Sequence, residues 1–271
     1  MSNTFDIKRF WNYFKWDLRN ARNNYLLSLV ICCATPLFFF IFHNLLNIIL
    51  RTDGIETFKV VKFLPFLIAY FVVIFTFPVK AYGKVTEKRY GTEWTLTPAS
   101  ALEKTLSVIL ITCVVLPLLF VAMLGLWDFL LGFLFPGTYG DAAISKLSNI
   151  REVAGKVLEK SVIRDESVFT TAVFSGWAEG ILIYTLGSMF FKKGKIGKTI
   201  LISTAFSMIL STILTASGLT GLQFAQVALD PTCIADEQTV KLFKAYFYTS
   251  NGITLAALIA GIYLRIRTIK H

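Results

Sequence analysis

Between about Tyr25 and Leu50 the chain runs apolar for 26 residues, broken only by Pro36, His43, Asn44 and Asn47. As a helix rising ~1.5 Å per residue this stretch reaches ~39 Å, more than the ~30 Å hydrocarbon core of a bilayer. Tilt, or an extension into the interface, is expected. Five further apolar runs follow at about 61–79, 105–127, 168–191, 199–217 and 245–264. A segment crossing lipid must satisfy its backbone internally, and runs of this length do so as helices. The sequence therefore predicts an all-α, polytopic membrane protein with six transmembrane helices. Pro36 is expected to kink the first span, Pro65 to open the second and Pro78 to close it, and Pro117 falls near the middle of the third.

Composition agrees. Hydrophobic residues make up 55% of the 271, with 25 Phe, which a water-soluble core would not need. The net charge of +10 raises the question of nucleic acid. However, the basic residues stand in short groups at the ends of apolar runs rather than on one polar face, a pattern that sets topology and meets anionic lipid. No nucleic acid is expected. Cys32, Cys33, Cys113 and Cys233 form no framework, and no structural disulfide is expected. The first 24 residues are too polar and aromatic for a cleavable signal.

Three polar segments organise the rest. Residues 1–24 are read as an interfacial amphipathic helix. Ile7, Phe10, Trp11, Phe14, Leu18 and Ala21 share one face, with Lys8, Lys15, Arg19 and Arg22 towards the other. Residues 80–104 form the longest loop on the more basic side. Thr97-Pro98 and the capping box Ser100-Ala-Leu-Glu103 both signal a helix start there. Residues 141–162 repeat apolar positions every three or four places and are read as an amphipathic helix at the outer mouth, with Asp128 a solvated carboxylate at that interface. Lys and Arg total 17 on the side of the N-terminus, residues 80–104, KKGKIGK and the C-terminus, against 10 on the other. Both termini are therefore expected in the cytoplasm.

Few residues point to chemistry. KKGKIGKT, from Lys192 to Thr199, approaches a phosphate-binding loop, but its first glycine position holds Lys192 and no strand precedes it. A tight basic turn is the better reading. Glu179 stands inside the fourth apolar run, where a charge costs on the order of 3 kcal/mol, so it is expected to face other helices in a pathway or a packing bond. His43, Asn44 and Asn47 share a face suited to pathway lining or to hydrogen bonds between helices. His43 and His271 are the only histidines, no cysteine pair has zinc spacing, and no catalytic triad or paired intramembrane carboxylate is present. No cofactor, no metal and no catalytic activity of its own are expected.

The run Leu96-Thr97-Pro98-Ala99-Ser100 followed by Glu103-Lys104, together with the opening RFWNYFKWDL, resembles the corresponding stretches of bacterial type-2 ABC-transporter permease-like membrane proteins. That resemblance implies residence in a bacterial cytoplasmic (inner) membrane and a coupling helix between spans two and three. It also implies a soluble ATP-binding subunit as partner and a homodimer or heterodimer of permeases. Carried over, Lys84, Glu87, Lys88, Arg89, Tyr90, Glu93 and Trp94 form the ATPase-docking segment. The segment 141–162 departs from the family, which has a short link there. The alternative reading is a non-transporting sensor or assembly protein that uses this outer helix to bind a partner.

Overall fold

The computed structural model describes residues 5–51, 62–140, 166–216 and 237–269. Among these residues the regular structure is helical and no strand occurs. The elements are α1 (Ile7–Cys33), α2 (Thr35–Leu50), α3 (Leu64–Ala81), a 3-10 turn (Gly83–Thr86), α4 (Lys88–Leu96), α5 (Ala101–Leu110), a π turn (Ile111–Val115), α6 (Leu116–Leu134), α7 (Glu166–Phe190), α8 (Lys195–Ala216) and α9 (Glu237–Thr268). Among the described residues, four helical stretches are long and apolar enough to cross a membrane: Ile7–Leu50, Leu64–Ala81, Ala101–Leu134 and Lys244–Thr268. The α7 and α8 helices, read from the sequence as spans four and five, contain 25 and 22 residues. The segment read as an outer amphipathic helix, 141–162, lies outside the described residues, as does Cys233.

The first difference from expectation lies in α1. No break separates an interfacial helix from a span near residue 24, because no Pro or Gly occurs between Phe5 and Thr35 and Asp6 caps the start, accepting from Lys8 N–H at 2.8 Å. The break comes at Ala34 instead. Pro36 has no N–H to offer the Cys32 carbonyl, so the helix stops and restarts with Pro36 in its first turn. The face packed against the rest of the protein is distinct from the apolar stripe read as facing the membrane. Phe10, Tyr13, Asp17, Ala21, Tyr25 and Leu29 point inward, whereas Ile7 and Trp11 are 71% and 52% exposed.

Helix α3 runs antiparallel to α1 and α2. Tyr25 Oη and Thr76 Oγ1 stand 2.8 Å apart, Cys32 Sγ meets the Ala69 carbonyl at 3.5 Å, and Thr35 Oγ1 donates to the Pro65 carbonyl at 3.2 Å. Pro65 opens α3 as expected, but Pro78 sits inside its last turn, and the helix continues to Ala81. Of the two helix starts signalled after residue 96, the capping box is used. Ser100 Oγ accepts from Glu103 N–H while a Glu103 carboxylate oxygen accepts from Ser100 N–H at 2.8 Å. Further along, a π turn at Ile111–Val115 precedes Pro117. The wider turn makes room for a proline ring that would collide with the carbonyl four residues back in a regular helix. Thr112 O, in this turn, accepts from Trp177 Nε1 at 3.2 Å and so ties α7 to the third span.

Helix α9 runs parallel to α7, with Gly261 against Leu186 and Arg265 Nε donating to the Met189 carbonyl at 3.0 Å. At the α7–α8 turn Gly194 takes a φ of 64°, the left-handed region that glycine enters freely. Thr199 then packs so closely on Gly187 that a Cβ there would lie 2.0 Å from Thr199 Oγ1.

The two ends of the bundle differ. At one end Asp128, expected to be solvated, is fully buried and accepts from Tyr139 Oη at 2.6 Å. Lys62 Nζ stands 5.6 Å from the centre of the same ring. A loop tyrosine folded back over the helix end removes the carboxylate from water. At the other end lie the charged start of α1, the α3–α5 connection and the first turn of α8.

Candidate functional site: a polar joint at one end of the bundle

The joint forms where three elements meet at helix termini. Glu103, at the third position of α5, has no exposed side-chain surface. It caps its own helix and also reaches α1: Arg9 donates to it from Nη2 at 2.6 Å and from Nε at 2.8 Å, and Asp6 N–H donates at 3.0 Å. One carboxylate therefore closes the N-termini of two helices at once, where the exposed backbone N–H groups favour negative charge. Two turns along α1, Asp17 is 2% exposed and accepts from Ser107 Oγ at 2.6 Å. These contacts fix α1 to the third span at two heights.

The connection between α3 and α5 folds into the angle between them. Lys84 Nζ donates to Asn24 Oδ1 at 2.9 Å, Lys195 Nζ donates to the Gly83 carbonyl, and Lys104 Nζ donates to the Trp94 carbonyl at 2.7 Å from a position 4.6 Å from the centre of the Trp94 ring. Burial lowers the Lys195 ammonium below the usual lysine range, while the Glu87 charge pulls it back up. The 3-10 turn is thus held from α1 and α8, and the short helix α4 that follows it from α5, rather than hanging as a loose loop.

Between α1, the 3-10 turn and α4 lies a pocket of about 140 Å³. Asp17, Tyr82 and Trp94 are its buried polar lining. Tyr82 Oη lies beside the Asp17 carboxylate and Tyr13 Oη beside Trp94 Nε1, and none of the three donors makes a well-formed hydrogen bond. Burial first, and then the Asp17 charge, push the Tyr82 hydroxyl well above its ordinary pKa, so it stays neutral.

Of the docking residues expected from the sequence, Glu87 and Glu93 are exposed and Lys84 is half-buried. Lys88, Arg89 and Tyr90 occupy the first turn of α4. Trp94 differs from expectation. At 5% exposed, its ring is an internal anchor under Lys104 and not a surface for a partner. Elsewhere, His43 Nδ1 and Asn47 Nδ2 stand 3.2 Å apart and Asn44 Nδ2 donates to the Phe40 carbonyl at 3.0 Å, all within α2, where hydrogen bonds between helices were expected. Glu179 is half-buried in α7, and its Oε1 is buried without a partner. The structure brings neither of these groups to the joint. The residues that build it and carried no functional reading are Asp17, Tyr82, Ser107 and Lys195. For Asp17 a signal existed: it continues the Phe10-Tyr13 stripe at helical spacing, on the face that turns inward.

Gly197, Lys198 and Thr199 lie in the first turns of α8 after another helix, so the phosphate-loop resemblance has no structural counterpart. Among the described residues no three His, Cys, Asp or Glu side chains gather as metal ligands. Compared with known protein families, with curated proteins and with solved structures, the chain matches none.

Proposed function

We propose that the chain is the membrane-spanning permease subunit of an ABC-type transporter, driven by a separate ATPase that docks on residues 80–104. In this reading it crosses the bacterial cytoplasmic membrane six times, with both termini inside, and works as a dimer of permeases. The observation that carries the proposal is the joint. A transporter without a nucleotide site of its own must receive work through a cytoplasmic surface rigidly connected to its spans; α4 is bonded to α5 through Lys104, and the 3-10 turn that leads into it is bonded to α1 and α8. A displacement of α4 would be passed to the second and third spans on either side of it.

The topology has independent support. The segments that charge counting assigns to the cytoplasm converge at one end: Arg9 on Glu103, and Lys195 on Gly83. Those assigned outside converge at the other, in Lys62, Asp128 and Tyr139. The test is affinity purification in mild detergent followed by an ATPase assay. A soluble ATP-binding subunit should accompany the wild-type protein, and the double charge reversal K88E/R89E should reduce its recovery severalfold. Recovery unchanged by the reversal would overturn the docking assignment.

A further inference from the structure

We propose that the pocket between α1 and α4 is a binding site for a small organic cation, a primary ammonium on a short alkyl stem. Its lining includes the buried Asp17, whose carboxylate accepts from Ser107 Oγ, has the Tyr82 hydroxyl beside it, and has no Lys or Arg nitrogen within 4.0 Å among the described residues. A buried carboxylate in that state lacks a counter-charge, and an ammonium brings one together with three donors.

The walls fit the same ligand. Trp16, Tyr82 and Trp94 line the pocket, and aromatic faces attract cations at close range. Glu93 adds a second carboxylate, exposed at the mouth. Lys84 also lines the space, but its ammonium is bonded to Asn24 Oδ1, and the Lys104 ammonium is bonded to the Trp94 carbonyl. The Tyr82 hydroxyl beside Asp17 and the Trp94 indole N–H beside Tyr13 are both buried and lack a well-formed hydrogen bond, which leaves polar capacity at the pocket. At ~30 Å³ per water, 140 Å³ holds about four or five water-sized groups, enough for an ammonium with a water accepting from the indole N–H.

The probe is n-butylammonium chloride, titrated against the purified full-length protein in mild detergent and followed by tryptophan fluorescence, with sodium acetate at matched ionic strength as the anion control. The wild type should give a saturable change with the ammonium and none with acetate. Asp17→Asn, which keeps an oxygen for Ser107 to donate to, should weaken binding at least tenfold, and Trp16→Leu, at a 38% exposed position, about threefold. If D17N does not fold, as judged by loss of a cooperative melting transition, W16L alone decides. The proposal is overturned if the folded wild type shows no saturable response, if acetate saturates the site instead, or if folded D17N or W16L binds as tightly as wild type.

Discussion

Replacing Glu103 with alanine tests the joint at its most connected point. The change removes the acceptor for two backbone donors, Ser100 N–H and Asp6 N–H, and for the Arg9 guanidinium. Each orphaned backbone donor costs about 1 kcal/mol, in keeping with the effect of losing a helix cap. Arg9 reaches water, with 28% of its side chain exposed, so it rehydrates and is left out of the sum. Glu103→Ala should therefore cost roughly 2 kcal/mol, which for a chain of this size corresponds to a fall of about 4–8 °C in melting temperature. Glu103→Gln keeps an acceptor oxygen and should lose about half as much. The assay is thermal unfolding of the purified protein in detergent, followed by intrinsic fluorescence. An E103A protein melting within 1 °C of wild type would show that the bonds between α1 and α5 do not hold the joint together.

Other substitutions probe other contacts. Gly187→Ala should destabilise the α7–α8 turn by about 1–3 kcal/mol, read as a lower melting temperature, because its Cβ would overlap the Thr199 hydroxyl. Thr199→Ala in the same chain should recover part of that loss. Tyr139→Phe removes the donor at 2.6 Å from buried Asp128 and should cost about 1–3 kcal/mol in the same assay. Trp177→Phe keeps the ring volume but loses the bond to Thr112 O in the π turn, and should cost about 1 kcal/mol.

Helices long and apolar enough to cross a membrane at the first three predicted spans and the last, the Ser100–Glu103 capping box, the break near Pro36 and the tight turn before α8 were legible in the sequence, because apolar runs, Pro, Gly and capping residues act locally. Which face of a helix turns inward was not. The stripe with Ile7 and Trp11 was read as facing the membrane, but that does not tell which residues of the other side pack inward, and Asp17 does so to find a donor in Ser107. Asp128 was likewise hidden, because its partner Tyr139 lies 11 residues away across a loop. Trp94 was placed at a partner surface by the resemblance, which carries over a segment and not the burial of each residue in it. Its burial depends on Lys104, whose ammonium position no local pattern reveals. The continuity of α1 was hidden by a change of composition at residue 24 that changes the surroundings of the helix without interrupting its backbone.

The most direct test of the account asks on which side of the membrane the joint lies. A single cysteine at position 87, an exposed site just before α4, can be introduced with Cys32, Cys33, Cys113 and Cys233 replaced by serine or alanine, and labelled with a membrane-impermeant maleimide. The account predicts labelling in inside-out vesicles and none in intact cells. Labelling in intact cells would place α4 outside, where no ATP-driven subunit could reach it.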